Sequence, residues 1–171
     1  MENLSRLFTD KLYNPNDYEK GYQAVIASFK TVEQALPTFQ KYNVKWGFKM
    51  FPTYTVLLTF YGTGGSYNYG NGTIILQTDV SGAFSRGSDP SGTIIHETVH
   101  IGIEENIIQK YSIDQRVKER IVDKFVYDHF LPLVPGYRMQ SVGDPSIDKC
   151  LTGEDTWNYL PARINECKAY K

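Results

Sequence analysis

The stretch "IIHETVHIGI", residues 94 to 103, constrains this chain more than any other, because His96 and His100 stand four residues apart with Glu97 directly after the first. On an α-helix, residues i and i+4 project from one face within reach of each other, so the two imidazoles meet only if the segment is helical. A pair converging in this way can grip one zinc ion. Zinc sites that do chemistry take three protein ligands and leave a fourth position for water, so a third donor has to come from elsewhere in the chain.

The segment "VKERIVDKFVYDHF", residues 117 to 130, carries an apolar face at Val117, Ile121, Val122, Phe125 and Val126, and Pro132 marks its end. If this second helix, over 113 to 130, folds back antiparallel on a first over 92 to 110, the chain rises roughly 15 Å past His100 and returns about 9 Å by Glu119. Glu119 then lies opposite His100. Asp123 lies about 6 Å further back, beside His96, where a carboxylate can take the second imidazole N–H and fix the ring. The alternative is that both acids belong to a solvated face with Lys118, Arg120 and Lys124. Against it, like charges at i, i+4 repel by ~0.2–0.5 kcal/mol on an exposed helix, and a nearby cation removes that conflict. Glu104, four residues after His100, reads as a surface or supporting group, since three consecutive turns of one helix cannot wrap a tetrahedral ion. His129 is about 15 Å from Glu119 by helical rise and falls outside the site.

The remainder of the 171 residues, 41% hydrophobic overall, suits one domain with its own core. It divides into an N-terminal helical part (1–48), a catalytic core (49–130) and an irregular C-terminal part (131–171). Residues 17 to 42 show helical spacing at Tyr22, Val25, Phe29 and Val32, and "TVEQ" offers a capping box that predicts a broken helix or two short ones. "FPTYTVLLTFYGTGG" reads as a buried strand, and "SYNYGNG" leads into a second β-rich run, "TIILQTD". No Gly-Lys-Ser/Thr follows these glycines, so hairpin turns explain them better than a phosphate loop. Asp89 or Ser91 is the expected cap of the histidine helix, Ser112 with Gln115 that of the next, and a short terminal helix is expected around "YLPARINEC".

Eighteen basic residues face nineteen acidic ones, for a net charge of -1 without like-charge runs, which argues against nucleic acid as a partner. No apolar run is long enough to span a membrane. The N-terminus is too polar for a signal peptide, so the chain is either cytosolic or has lost a leader. Thirteen tyrosines beside many Gly and Asn residues lean toward a secreted or extracytoplasmic protein. Cys150 and Cys167 can form one disulfide in an oxidising compartment or remain two thiols, and the sequence leaves both open.

"HETVH" followed by "ERIVD" resembles the gluzincin, or thermolysin-like, zinc metallopeptidases, whose pattern is H-E-x-x-H on one helix and E-x-x-x-D on the next. "SYNYGNGTIILQTD" is similar to the edge strand, turn and last strand that precede the active-site helix there. The resemblance covers residues 54 to 130. It implies an α+β, zincin-like fold in compact form: a small twisted, mostly antiparallel-edged sheet packed on the active-site helix and on an antiparallel, glutamate-bearing second helix. It further implies that His96, His100 and Glu119 bind Zn2+, that Glu97 is the general base, that Asp123 orients His96, and that Tyr111, in the interhelical connector, stabilises the oxyanion. The metzincin pattern fails, because Ile103 and Asn106 stand where it needs Gly and His.

The expected activity is hydrolysis of peptide bonds, as an endopeptidase in preference to an exopeptidase, on a substrate bound as an extended strand along "SYNYG", where Tyr67 and Tyr69 pack or meet substrate. Two other readings stand beside it. "KERIVDKFVYDHFLPLVP" also resembles the ImmA/IrrE-type regulatory metallopeptidases, which implies one dedicated protein target. A non-catalytic zinc-containing binding module is the third, although such a site has no use for Glu97 and usually fills all four positions with Cys or His.

Overall fold

The computed structural model describes residues 14–85, 87, 89–153 and 155–168. After a 3-10 turn (Pro15–Tyr18) opened by Asn14, whose Oδ1 accepts from the Asn16 N–H, the chain runs as one helix, α1 (Glu19–Trp46). The expected break at "TVEQ" is absent, and Pro37 lies inside the helix. Proline costs a helix one hydrogen bond, but Ala35, Phe39 and Tyr42 around it are all buried, and that burial holds the helix together. Gly47, at φ 78°, closes it in the left-handed region.

Three strands follow: β1 (Thr55–Thr59), β2 (Gly65–Asn68) and β3 (Thr73–Gln77). β3 is central, parallel to β1 and antiparallel to β2, so the sheet is mixed. Ile74 and Leu76 of β3 are fully buried, whereas β1 is an edge strand with Leu57 exposed. The expectation of a buried strand over "FPTYTVLLTF" is therefore corrected: the burial that one-sided packing allows goes to β3, which has neighbours on both sides.

The histidine helix, α2 (Ser91–Ile103), has Pro90 at its cap position in place of the expected Asp89 or Ser91, and Asp89 Oδ1 accepts the Ser91 N–H at 2.9 Å. It does not continue as α-helix to Lys110 but widens into a π-helical turn (Glu104–Gln109). α3 (Gln115–Phe130) follows, capped by Asp114, whose side chain accepts from the Val117 N–H. Ser112, with φ 46°, is not the cap, and Gln115 turns to Glu119 instead of closing a capping box. Beyond α3 come 3-10 turns (Pro145–Cys150 and Thr156–Tyr159) and α4 (Leu160–Lys168), the expected terminal helix. Cys150 and Cys167 form a disulfide. The Arg120 guanidinium grips the Asp148 carboxylate through two hydrogen bonds, at 2.8 and 2.5 Å, and ties this C-terminal part to α3.

The fold is thus α+β, with a small mixed sheet among helices, and none of its described helices is long and apolar enough to cross a membrane. α2 lies between two apolar clusters. Ile95, Val99 and Ile103 join Phe39 and Tyr42 of α1, Ile121, Val122 and Phe125 of α3, and Trp157 and Leu160. Ile94 and Ile101 face Ile74, Leu76 and Phe84 on the sheet side. His129 belongs to the first cluster, where Tyr42, Phe125 and Trp157 surround its ring and the Tyr42 hydroxyl meets Nε2 at 3.1 Å. Burial lowers its pKa to about 4.

Gly102 is where α2 meets the ring of Phe48, and a methyl group on its Cα would overlap that ring. Gly102→Ala is expected to lower the unfolding free energy by ~1–3 kcal/mol in a denaturant titration, although alanine is the better helix former. His129 is neutral in the fold and titrates near 6.5 when unfolded, so the unfolded chain binds the extra proton as pH falls. Stability should therefore decline from about pH 6.5 to about pH 4 by an amount on the order of 2–3 kcal/mol, and His129→Gln should remove this component from the pH profile.

Candidate metal centre

α2 presents His96, Glu97 and His100 to a cleft of about 430 Å³ between β2, α2, α3 and the segment around Gln140. All three are buried, because α2 is enclosed on both sides. α3 runs antiparallel to α2 and brings Glu119 Oε2 to 3.3 Å from His100 Nε2 and 3.8 Å from His96 Nε2, while the two Nε2 atoms are 3.1 Å apart. Three atoms with lone pairs thus converge on one point. The partners of Glu119 are the two histidines, Gln115 and Gln140, and none is a fixed cation. Burial raises the Glu119 carboxyl, but its contacts with His100 and His96 outweigh it and hold the group well below the usual carboxylate range. This is a place for a positive charge, and a metal ion can supply it.

Asp123 is fully buried beside His96, as the helical rise predicts, but the pair is 3.6 Å apart and is joined through a third residue. The Tyr137 hydroxyl donates to Asp123 Oδ1 at 2.5 Å and lies 2.7 Å from His96 Nδ1. With its proton committed to the carboxylate, the hydroxyl oxygen accepts from Nδ1–H. His96 Nε2 is then left unprotonated toward the cluster. Asp123 Oδ2 takes the backbone N–H of Gln140, whose side-chain amide reaches His96 Nε2 at 3.1 Å.

His100 is held differently. Its Nδ1 has no hydrogen-bond partner among the described residues, and the ring is stacked on Tyr67 of β2 with centroids 4.8 Å apart. The Tyr67 hydroxyl donates to Glu104 and accepts from Lys118, so Glu104 supports the site from behind and is not in the ligand cluster. Burial first, and Glu104 second, push the Tyr67 phenol well above its ordinary pKa. Glu97 rests against the Cα of Gly65, where any side chain would collide with its carboxylate.

Tyr111 is corrected. It packs on the main apolar cluster and does not line the cleft, because the π-helical turn ends with its N–H bonded to Ile107 and its ring on the core. Tyr69 also lies outside the cleft lining, with Lys49 near its ring. Residues beyond 130 also reach the site: Gln140 and Val142 line the cleft, and the Tyr137 hydroxyl meets His96. No periodicity marks those residues. The available signal was Asp123 itself: a fully buried carboxylate needs more donors than one imidazole provides.

Comparison of the chain with family models, curated proteins and solved structures yields no match.

Tyr137→Phe should leave the fold intact but free the His96 ring. In the metal-free protein, nitrogen NMR is expected to show His96 mainly as the Nδ1–H tautomer in the wild type and as a mixture in the variant, with divalent-metal affinity lower by about 10–100-fold. An unchanged tautomer with unchanged affinity would remove Tyr137 from the centre.

Proposed function

We propose that the protein is a zinc-dependent peptide hydrolase of compact, gluzincin-like design. The observation that carries this reading is the convergence of His96, His100 and Glu119 from two antiparallel helices, with Glu97 one residue from the first histidine in the same cleft. The donor set fits zinc. Two imidazoles and one carboxylate form a ligand set of the catalytic type, and their mutual separations of 3.1 to 3.8 Å bracket the ~3.3–3.4 Å edge of a tetrahedron with bonds of about 2.0–2.1 Å. A zincin-like arrangement also accounts for β2 as an antiparallel edge strand directly above α2.

Zinc bound there supplies a Lewis acid that polarises a carbonyl and acidifies water. The chain's residues do the rest. Glu97, absent from the ligand cluster, receives the proton of the attacking water on its carboxylate and returns it to the leaving amine. Tyr137 and Asp123 hold His96 in the tautomer that points Nε2 inward. The outer edge of β2, which pairs with no other strand among the described residues, borders the cleft from Gly65 to Tyr67 and can take an extended peptide as one more strand. Gly65 gives that strand its close approach to Glu97.

The test is Glu97→Gln, compared with wild type at equal zinc content on a broad peptide library. The variant should retain zinc and lose cleavage by about 10²–10⁴-fold. Equal cleavage by both would remove Glu97 from the reaction. A zinc-loaded wild type that cleaves nothing would favour the single-target or binding-module reading.

A further inference from the structure

Gln140 enters the ligand cluster from the C-terminal segment, and its main chain is secured before its side chain acts. Its N–H donates at 2.5 Å to Oδ2 of the fully buried Asp123, the carboxylate that also holds Tyr137. From that anchor the side-chain Nε2 reaches 3.1 Å from His96 Nε2 and 3.5 Å from Glu119 Oε2. The three ligand atoms are themselves 3.1, 3.3 and 3.8 Å apart. These five separations, from 3.1 to 3.8 Å, bracket the roughly 3.3–3.4 Å edge of a tetrahedron about zinc. The end of the Gln140 side chain therefore lies beside two of the three ligand atoms, within reach of the vertex that the two histidines and the glutamate leave open.

The two ends of a carboxamide have nearly the same shape and opposite character, one donating and one accepting. Among lone pairs alone the NH2 turns inward, as it does here. Around a dication the balance reverses, and half a turn of the terminal torsion presents Oε1. We propose that Gln140 is a fourth, displaceable ligand of the metal: its carbonyl oxygen closes the site at rest and leaves the vertex when water or substrate takes it. This rests on reading the cluster as a zinc site and adds a gate to it. The side chain suits a gate because the amide is neutral and donates more weakly than imidazole or carboxylate. Its described contacts are with the cluster alone, and the backbone anchor keeps it close when it swings out.

The experiment uses the full chain loaded with zinc for affinity, by chelator competition, and with cobalt(II) for its visible spectrum, in wild type, Gln140→Ala and Gln140→Glu. Gln140→Ala should bind zinc about tenfold more weakly, the order expected when a supporting group is lost. Its cobalt bands should shift toward those of an ion that carries water in place of the amide, and azide should bind its cobalt form more tightly than the wild type. Gln140→Glu should bind zinc more tightly than either and admit azide least. The same zinc affinity, spectrum and azide binding in all three proteins would overturn the gate, while leaving the three-ligand site and the hydrolase reading in place. A wild type that takes up neither zinc nor cobalt would overturn both.

Discussion

Burying lone pairs that face one another is costly unless something positive sits between them, and the centre of this protein is built around that conflict. His96, His100 and Glu119 are drawn from two helices into a space where, among the described residues, no lysine or arginine pairs with Glu119. Nothing in the apolar packing of α2 calls for two histidines on a helix enclosed on both sides, nor for a glutamate of α3 turned toward them. Their enclosure is tolerable because a cation can satisfy all three at once, and because the two histidines are braced from behind: His96 by Tyr137 and Asp123, His100 by the ring of Tyr67.

The bracing depends on the irregular C-terminal segment. Asp123 is the hinge of that arrangement, since its two oxygens take the Tyr137 hydroxyl and the Gln140 backbone. The segment is in turn fastened at Asp144, whose N–H bonds to the Arg116 carbonyl, and at Asp148, held by Arg120. The Cys150–Cys167 disulfide then closes the last helix onto the same region and limits the freedom of the unfolded chain. A stretch with little regular structure is thereby made rigid enough to place two side chains within hydrogen-bond distance of a third.

On the other side of the cleft, β2 does two jobs with four residues. Tyr67 covers His100 and connects it to Glu104 and Lys118, and Gly65 lets the strand lie against Glu97. Its outer edge pairs with no other strand among the described residues, so the proposed base, metal and substrate path share one wall.

The elements of this site that repeat with helical spacing were legible from the sequence: His96 with His100, and Glu119 with Asp123, because i, i+4 spacing and rise per residue are properties of the helix alone. The α+β class and the edge position of β2 were what the resemblance carried by those motifs implied. Tertiary structure decided the rest. It kept α1 whole through Pro37 by burying Phe39 and Tyr42, widened the end of α2 so that Tyr111 faced the core, and paired the cysteines. It also brought Tyr137 and Gln140 to the centre, although they come from a segment with no period. What holds them there is a buried carboxylate collecting donors from wherever the chain passes, and the folded path of the chain settles which donors those are.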